Sequence, residues 1–444
     1  MEGSEVLHVE ICQNIDSTLS IEKIENLIYA EINTLEDIML NTIIYAKDLK
    51  NCILQTHIDS IICTSSHGER NHMKIQNATL KFHVYRLTTE SAATETMEND
   101  GEDLAVSSHW ILPTKEFHYL WESLYFDSSI KDYLLHFVET AMIFADHNVN
   151  TNIISWNKVV LLHGPPGTGK TSLCKALAQK IIIRLNKRFT HAEFIEINSH
   201  SLFSKWFSES GKLVMKLFNE IKNLLENSHA LICILIDEVE SLAHARKSCS
   251  NGMEPTDSIR VVNALLTQLD QIKQYPNVLI LTTSNLSEAI DLAFIDRADI
   301  KQYIGHPTHQ AIYKIYTSCL KELMRVKKYS FLYNMYFIKY VYVCLFQTKL
   351  MEPEEIYDLS YLKRMGYEET SQTKNSLKLM ELSQESLGFS GRILRKIPFL
   401  AHAFYLRTKK CTLTRFLRAM HLALKREKED NTEDVSQVLQ HLEF

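Results

Sequence analysis

The chain has 444 residues, 45% hydrophobic and 23% charged, enough for about three folding units with sizeable cores and too apolar for wholesale disorder. Lys and Arg number 48 against 54 Asp and Glu, a formal net charge of −6, which disfavours a general nucleic-acid binder relying on phosphate neutralisation. With 12 Gly and 8 Pro, long helices are favoured over a turn-rich β fold.

In chain order, residues 1 to about 105 mix strand and helix. Segments 6–11 and 79–85 alternate apolar and polar residues at period two, as half-buried strands do, and 21–49 between them reads mostly helical. Segment 90–104 (ESAATETMENDGEDL) is acidic and has few large apolar residues, which predicts a solvated linker or long loop and a domain boundary near 105. From 110 to 150 the apolar spacing is helical, with Trp121, Leu124, Tyr125, Tyr133, Leu134, Phe137 and Val138 expected in the core. Short apolar strands at 159–162, 193–197, 232–236 and 278–282 alternate with helices, the pattern of an α/β nucleotide-binding sheet. From 307 onward the reading is nearly all helix.

Two features bear on compartment. The 9 cysteines are scattered without a CxxC pair, as expected of buried free thiols in a reducing compartment, and the acidic opening residues read unlike a signal peptide. Segment 329–346 (YSFLYNMYFIKYVYVCLF) is apolar enough to test as a membrane span, but Asn334, Lys339 and 5 tyrosines favour a local insertion.

The motif Gly164-Pro165-Pro166-Gly167-Thr168-Gly169-Lys170-Thr171 matches G-x-x-x-x-G-K-[ST] in full, follows an apolar strand and opens a helix from Ser172. Its glycines let backbone N–H groups curl round phosphates, and the helix N-terminus adds its positive dipole end. Lys170 is expected to bridge the β- and γ-phosphates of ATP, and Thr171 to offer its hydroxyl to Mg²⁺. The run Leu231-Ile232-Cys233-Ile234-Leu235-Ile236-Asp237-Glu238 is a buried strand ending in two carboxylates. Asp237 is expected at the metal and Glu238 as general base on the attacking water. Asn285, ending the strand VLILTTSN, is placed to orient that water, with a simple strand-end turn as the alternative. Arg297, in DLAFIDRAD, is expected to reach a neighbouring subunit's γ-phosphate, the alternative being a surface pair with Asp296 or Asp299. His306 and His309 lack a third ligand, and neither HExxH nor GxSxG occurs.

These four elements in this order resemble an AAA+ ATPase, most sharply over 195–307. Ser204-Lys205-Trp206-Phe207-Ser208-Glu209-Ser210 resembles the pore-loop segment of AAA+ remodellers, with Trp206 and Phe207 gripping a threaded polypeptide. Finer features are similar to one subfamily, the pachytene checkpoint protein two or thyroid receptor-interacting protein thirteen family. They are INSHSLFSKWF at 197–207, IDEVESL at 236–242, IRVVNALLTQ at 259–268, FIDRADIKQY at 294–303 and SGRILRKIPFLAHA at 390–403. In the last, Arg392 matches the sensor-2 position, with Arg395 as reserve.

That resemblance implies an α/β AAA+ P-loop domain at 106–306, a small α+β N-terminal substrate- and adaptor-binding domain at 1–105, and a helical lid at 307–444. Two departures are present: Asp296 stands where the wider group has a first arginine, and 326–350 interrupts the lid. By resemblance the chain is expected to form a homohexamer, bind ATP and Mg²⁺, and return closed HORMA-domain proteins to an open state with the help of an adaptor. It would act in mitotic checkpoint complex disassembly and at meiotic chromosome axes, in nucleus and cytoplasm, with no direct nucleic acid and no membrane. An AAA+ ATPase acting on DNA or on another protein, and an ATP-binding scaffold, are the alternatives.

Overall fold

The computed structural model describes all residues except 1–4, 36, 66–71, 76–77, 100–101, 128, 200–209, 242–256, 286–289, 291, 334–348, 351–355, 407–409 and 443–444. The chain divides into two compact units, Met1–Leu124 with Ser128–Gly164 and Lys170–Ile304, and Tyr125–Asp127 with Pro165–Gly169 and Gly305–Phe444.

The first unit opens with β1 (Glu5–Gln13), α1 (Ile21–Ile32), β2 (Asp37–Met39), β3 (Ile43–Tyr45), α2 (Cys52–His57), β4 (Ile58–Ser65), β5 (His72–Lys74) and β6 (Ala78–Arg86). A four-stranded sheet runs β3-β4-β1-β6, with β1 antiparallel to β4 and parallel to β6. Period-two alternation splits β1 between two environments. Leu7, Val9 and Ile11 join Ile24, Ile28 and Ile32 of α1, spaced i, i+4, i+8, in one apolar core. His8, Glu10 and Cys12 take the other face and are also buried. The helix expected over 21–49 stops at Ile32. Asn33 and Thr34 favour turns, and the β-branched Ile43-Ile44 pair fits a pleated strand better than a helix.

Next come β7 (Ala93–Asn99), β8 (Glu102–Leu112), α3 (Leu120–Ser123), α4 (Ile130–Asp146), β9 (Val159–His163), α5 (Lys170–Arg184), β10 (His191–Asn198), α6 (Ser210–Leu225), β11 (Ala230–Asp237), α7 (Asp257–Ile272), β12 (Val278–Ser284), α8 (Leu292–Arg297) and β13 (Ile300–Tyr303). A seven-stranded sheet runs β13-β9-β12-β11-β10-β8-β7, parallel from β13 to β10 and antiparallel beyond. The four expected strands each lie within one of its parallel strands. Segment 90–104 is not a loop: β7 and β8 pair antiparallel, Ala93 with His109 through Asn99 with Glu102. Polar side chains leave backbone pairing free, and the Asp100-Gly101 dipeptide is a hairpin signal that the composition reading passed over. Residues 110–150 likewise begin as strand, and Tyr133 of α4 is 56% exposed rather than in the core, while Trp121, Leu134 and Val138 are buried.

The second unit holds α9 (His309–Tyr333), β14 (Lys349–Leu350), α10 (Leu359–Arg364), α11 (Lys374–Glu385), α12 (Gly391–Ala401), β15 (Lys410–Cys411) and α13 (Leu413–Leu442). Ile312, Tyr316, Leu320, Leu379, Leu394, Ile397, Phe416 and Met420 form its core. Tyr316 closes its hydroxyl on Ser386 Oγ at 2.9 Å, and Asp127 accepts from Thr308 N at 2.9 Å just before α9. The apolar 329–346 stretch begins in α9, and its residues 334–346 lie outside the described residues; among the described residues no helix is long and apolar enough to cross a membrane. Of the described cysteines all are free, with Cys52 exposed against the expectation of burial.

Candidate active site

Strand β9 runs parallel to β12 and delivers Gly164 to the sheet's C-terminal edge, where Gly164 N donates to Ser284 O at 3.2 Å. Gly164 has φ +141°, and a Cβ there would stand 2.2 Å from Ile304 O, so only glycine fits. Lys170 begins α5, is buried, and donates from Nζ to Gly164 O at 2.8 Å. Thr171 Oγ1 donates to both oxygens of Asp237, at 3.1 and 3.2 Å. Asp237 also accepts from the Thr283 hydroxyl, and the Ser199 hydroxyl donates to Asp237 O.

Past Asp237 the strand turns sharply. Glu238 has φ +57°, a left-handed backbone that costs a non-glycine residue about 1–2 kcal/mol and is held by its surroundings. Its N–H donates to Thr283 Oγ1 at 3.3 Å, and Val239 N donates to Thr283 O at 2.9 Å. The turn brings Glu238 Oε1 within 3.1 Å of Asn285 Nδ2. Asn285 is held in turn by its own N–H, which donates to Glu240 Oε1 at 3.0 Å. Glu240 is buried, and its Oε2 has no hydrogen-bond partner among the described residues. Glu240, Thr283 and Ser199 were not singled out from sequence. Glu240 stands two residues after Glu238 in the same IDEVESL block, which is the signal that could have found it.

Residues 165–169 belong to the second unit and meet the start of α12. Arg392 N donates to Gly167 O at 3.1 Å, and a Cβ on Gly167, whose φ is +76°, would sit 2.8 Å from Ser390 Oγ. Thr168 Oγ1 donates to Pro165 O at 3.0 Å. Ser390 caps α12, accepting from Ile393 N at 3.5 Å, and the Arg392 and Arg395 side chains are exposed.

Arg297 ends α8 and is engaged within its own unit. It grips Asp270 of α7 bidentately, Nε to Oδ1 at 3.0 Å and Nη2 to Oδ2 at 2.6 Å, and donates from Nη1 to Ala293 O at 2.7 Å. Burial works against the Asp270 charge, but hydrogen bonds from Arg297 and Lys273 outweigh it and hold the carboxyl below its ordinary value. Asp299, one of the two partners suggested by sequence, accepts from Asn157 N at 2.9 Å and Val159 N at 3.2 Å. Trp206 and Phe207 lie outside the described residues.

Thr171, Asp237, Glu238 and Asn285 thus converge, with Lys170, at the C-terminal edge of a parallel sheet, where open α/β sheets bind ligands. A cluster that spacing could not reveal also forms: Cys12, Asp59 and His118 place ligand atoms within 4.8 Å of one another. Asp59 is already engaged there by His118 Nε2 at 3.6 Å and by the Tyr119 hydroxyl at 2.9 Å.

Residues 160–306 match the ATPase family associated with various cellular activities, 308–428 the TRIP13-like AAA+ ATPase lid C-terminal domain, and 2–90 the TRIP13 N-terminal domain. The chain is 46% identical over 428 residues to a pachytene checkpoint protein 2 homolog of Gallus gallus, covering 96% of this chain and 94% of that one. It is 45% identical over 431 residues to the Homo sapiens homolog, with the same coverage. The solved structure of C. elegans PCH-2 superposes with a TM-score of 0.71 at 30% identity, covering 96% of this chain and 100% of that one. The N-terminal, ATPase and lid matches follow one another along almost the whole chain, and the chain belongs to the pachytene checkpoint protein 2 family of AAA+ ATPases.

Proposed function

We propose that the chain is an ATP-driven remodeller of HORMA-domain proteins, working as a homohexamer with an adaptor in mitotic checkpoint complex disassembly and meiotic chromosome-axis control, in nucleus and cytoplasm. The observation that carries the reading is the Lys170–Thr171–Asp237–Glu238–Asn285 constellation, in a chain whose residues 2–90 and 308–428 match this family's N-terminal and lid domains.

Glu238, oriented by Asn285 at 3.1 Å, takes the proton of the attacking water, and Asn285 reports the state of the γ-phosphate. Lys170 and the N–H groups of 164–172 hold the phosphates. Thr171 and Asp237 offer hard hydroxyl and carboxylate oxygens about one contact apart, a donor set that suits Mg²⁺. When bound, that ion would neutralise charge on the β- and γ-phosphates. Arg392, tied through its N–H to Gly167, serves the γ-phosphate in cis, and Arg297 leaves Asp270 to serve the neighbouring subunit's. Trp206 and Phe207 pull on the substrate's N-terminal segment. Closed HORMA states are kinetically trapped, so opening one needs the energy of hydrolysis.

The test is steady-state ATP hydrolysis by the full chain, alone and with a closed HORMA-domain protein plus adaptor. Stimulation by the complex, lost in Glu238→Gln, is expected. Turnover indifferent to the complex would sink the substrate assignment, and absence of turnover in both conditions would sink the enzymatic one.

A further inference from the structure

Helix α5 carries cations at both ends, with Lys175 between them paired to Glu196. Lys170 stands at the phosphate end, and Lys180 and Arg184, one turn apart, stand at the other, about 15 Å along the axis at 1.5 Å per residue. Their side chains are 2% and 7% exposed, and both close on Glu10 of β1, itself 1% exposed. Lys180 Nζ lies 2.5 Å from Glu10 Oε2 and 2.9 Å from Glu122 of α3. Arg184 Nε lies 3.2 Å from the other Glu10 oxygen, and its Nη2 donates to Thr64 Oγ1 of β4 at 2.9 Å. Glu139 of α4 stands 3.5 Å from Arg184 Nη1. Beside these ions Cys12, Tyr85 and Ile183 form a small apolar cluster, and Asn186 Nδ2 donates to Val84 O at 3.0 Å. The N-terminal sheet is therefore seated on the far end of the phosphate-binding helix.

Buried ion pairs add little net stability over apolar groups of the same shape, yet breaking one is costly because a charge is left unpaired out of water. Their energy is steep in distance and angle, so they fix orientation more than they stabilise. Burial works against the Lys180 charge, and Glu10 and Glu122 outweigh it, holding Lys180 above its ordinary value and so charged.

We propose that this ionic joint couples the N-terminal sheet to the phosphate loop, with Glu10, Lys180 and Arg184 as positioning residues and α5 as the rod between them. Nucleotide held at Lys170 and Thr171 is felt at β1 and β4, and by reciprocity a load on the sheet is felt at the nucleotide. The inference rests on the chain binding ATP, and not on the identity of the protein it remodels.

Hydrogen exchange of the full chain, with and without a non-hydrolysable ATP analogue, tests it. In the unsubstituted chain the analogue should slow exchange in the phosphate loop and also, by about fivefold or more, in β1 and β4. Glu10→Gln should abolish the response of β1 and β4 while the loop stays protected. Because a lone buried Lys180 charge can weaken folding, Glu10→Gln combined with Lys180→Met removes the closest pair and leaves Glu122 to the nearby Lys131 charge. That double variant should melt no lower than Glu10→Gln alone and still lack the response. Protection confined to the loop in the unsubstituted chain, or an intact β1 response in the double variant, overturns the coupling and leaves the joint a packing feature. Absence of protection even at the loop overturns the ATP reading beneath it.

Discussion

His8 and His83 face each other at 3.0 Å on the face of the N-terminal sheet that also carries Glu10. Burial first, then the nearby Arg184 charge, pushes His8 down to about 2; burial, then Arg184, pushes His83 down to about 4. Both stay neutral in the folded protein while the unfolded chain protonates them near 6.5. Below pH 6.5 the unfolded state therefore binds more protons, and stability falls as pH drops, through about pH 4 for His83 and further for His8. Each depressed histidine contributes a slope of about 1.4 kcal/mol per pH unit. His83→Gln should flatten the fall of the thermal midpoint between pH 6 and 4, and parallel curves for the two proteins would refute this origin. Sequence marked neither histidine, because a strand pattern shows alternation but not that both faces are covered. The G-x-x-x-x-G-K-[ST] residues, by contrast, are legible in sequence, because the motif is contained within eight positions of chain.

At the scale of elements, Asn277 joins three pieces of backbone ahead of β12. Its side-chain amide donates to Leu225 O at 3.2 Å, Asn227 O at 3.0 Å and Ala230 O at 2.9 Å, tying the end of α6 to the start of β11 in a buried site. Asn277→Ala removes these three bonds from a buried site, leaving Asn227 O only its bond from Ala230 N at 3.0 Å, and should cost about 2 kcal/mol. Urea unfolding of the variant checks this, and an unchanged midpoint would mean that water replaces the amide. The element readings succeeded where periodicity and burial agree, as in the apolar β9, β11 and β12, whose central position leaves no solvated face. They failed at 90–104, where side chains suit solvent and backbone pairing makes the strand, and at 33–49, where short strands break a helical composition.

At the scale of the whole molecule, Arg297 has a partner in its own unit, Asp270, and a proposed target in the next subunit. Subunit mixing separates the two. Lys170→Ala and Arg297→Ala chains should each be inactive alone, because one loses phosphate binding and the other the charge that stabilises transfer. Mixed in equal amounts, they should recover up to about one quarter of the unsubstituted rate, the fraction of random interfaces pairing an intact Lys170 site with an intact Arg297. No recovery would confine Arg297 to its Asp270 pair.

The sequence by itself determined the G-x-x-x-x-G-K-[ST] motif, the acidic strand end, the α/β class and the family, since these are written in contiguous residues. Tertiary structure alone decided which groups meet: Asn285 with Glu238, Arg297 with Asp270, and Lys180 with Glu10 across 170 positions. The physical reason is that local pattern dictates the face an element buries, whereas the partner on that face is chosen by packing among segments far apart in the chain.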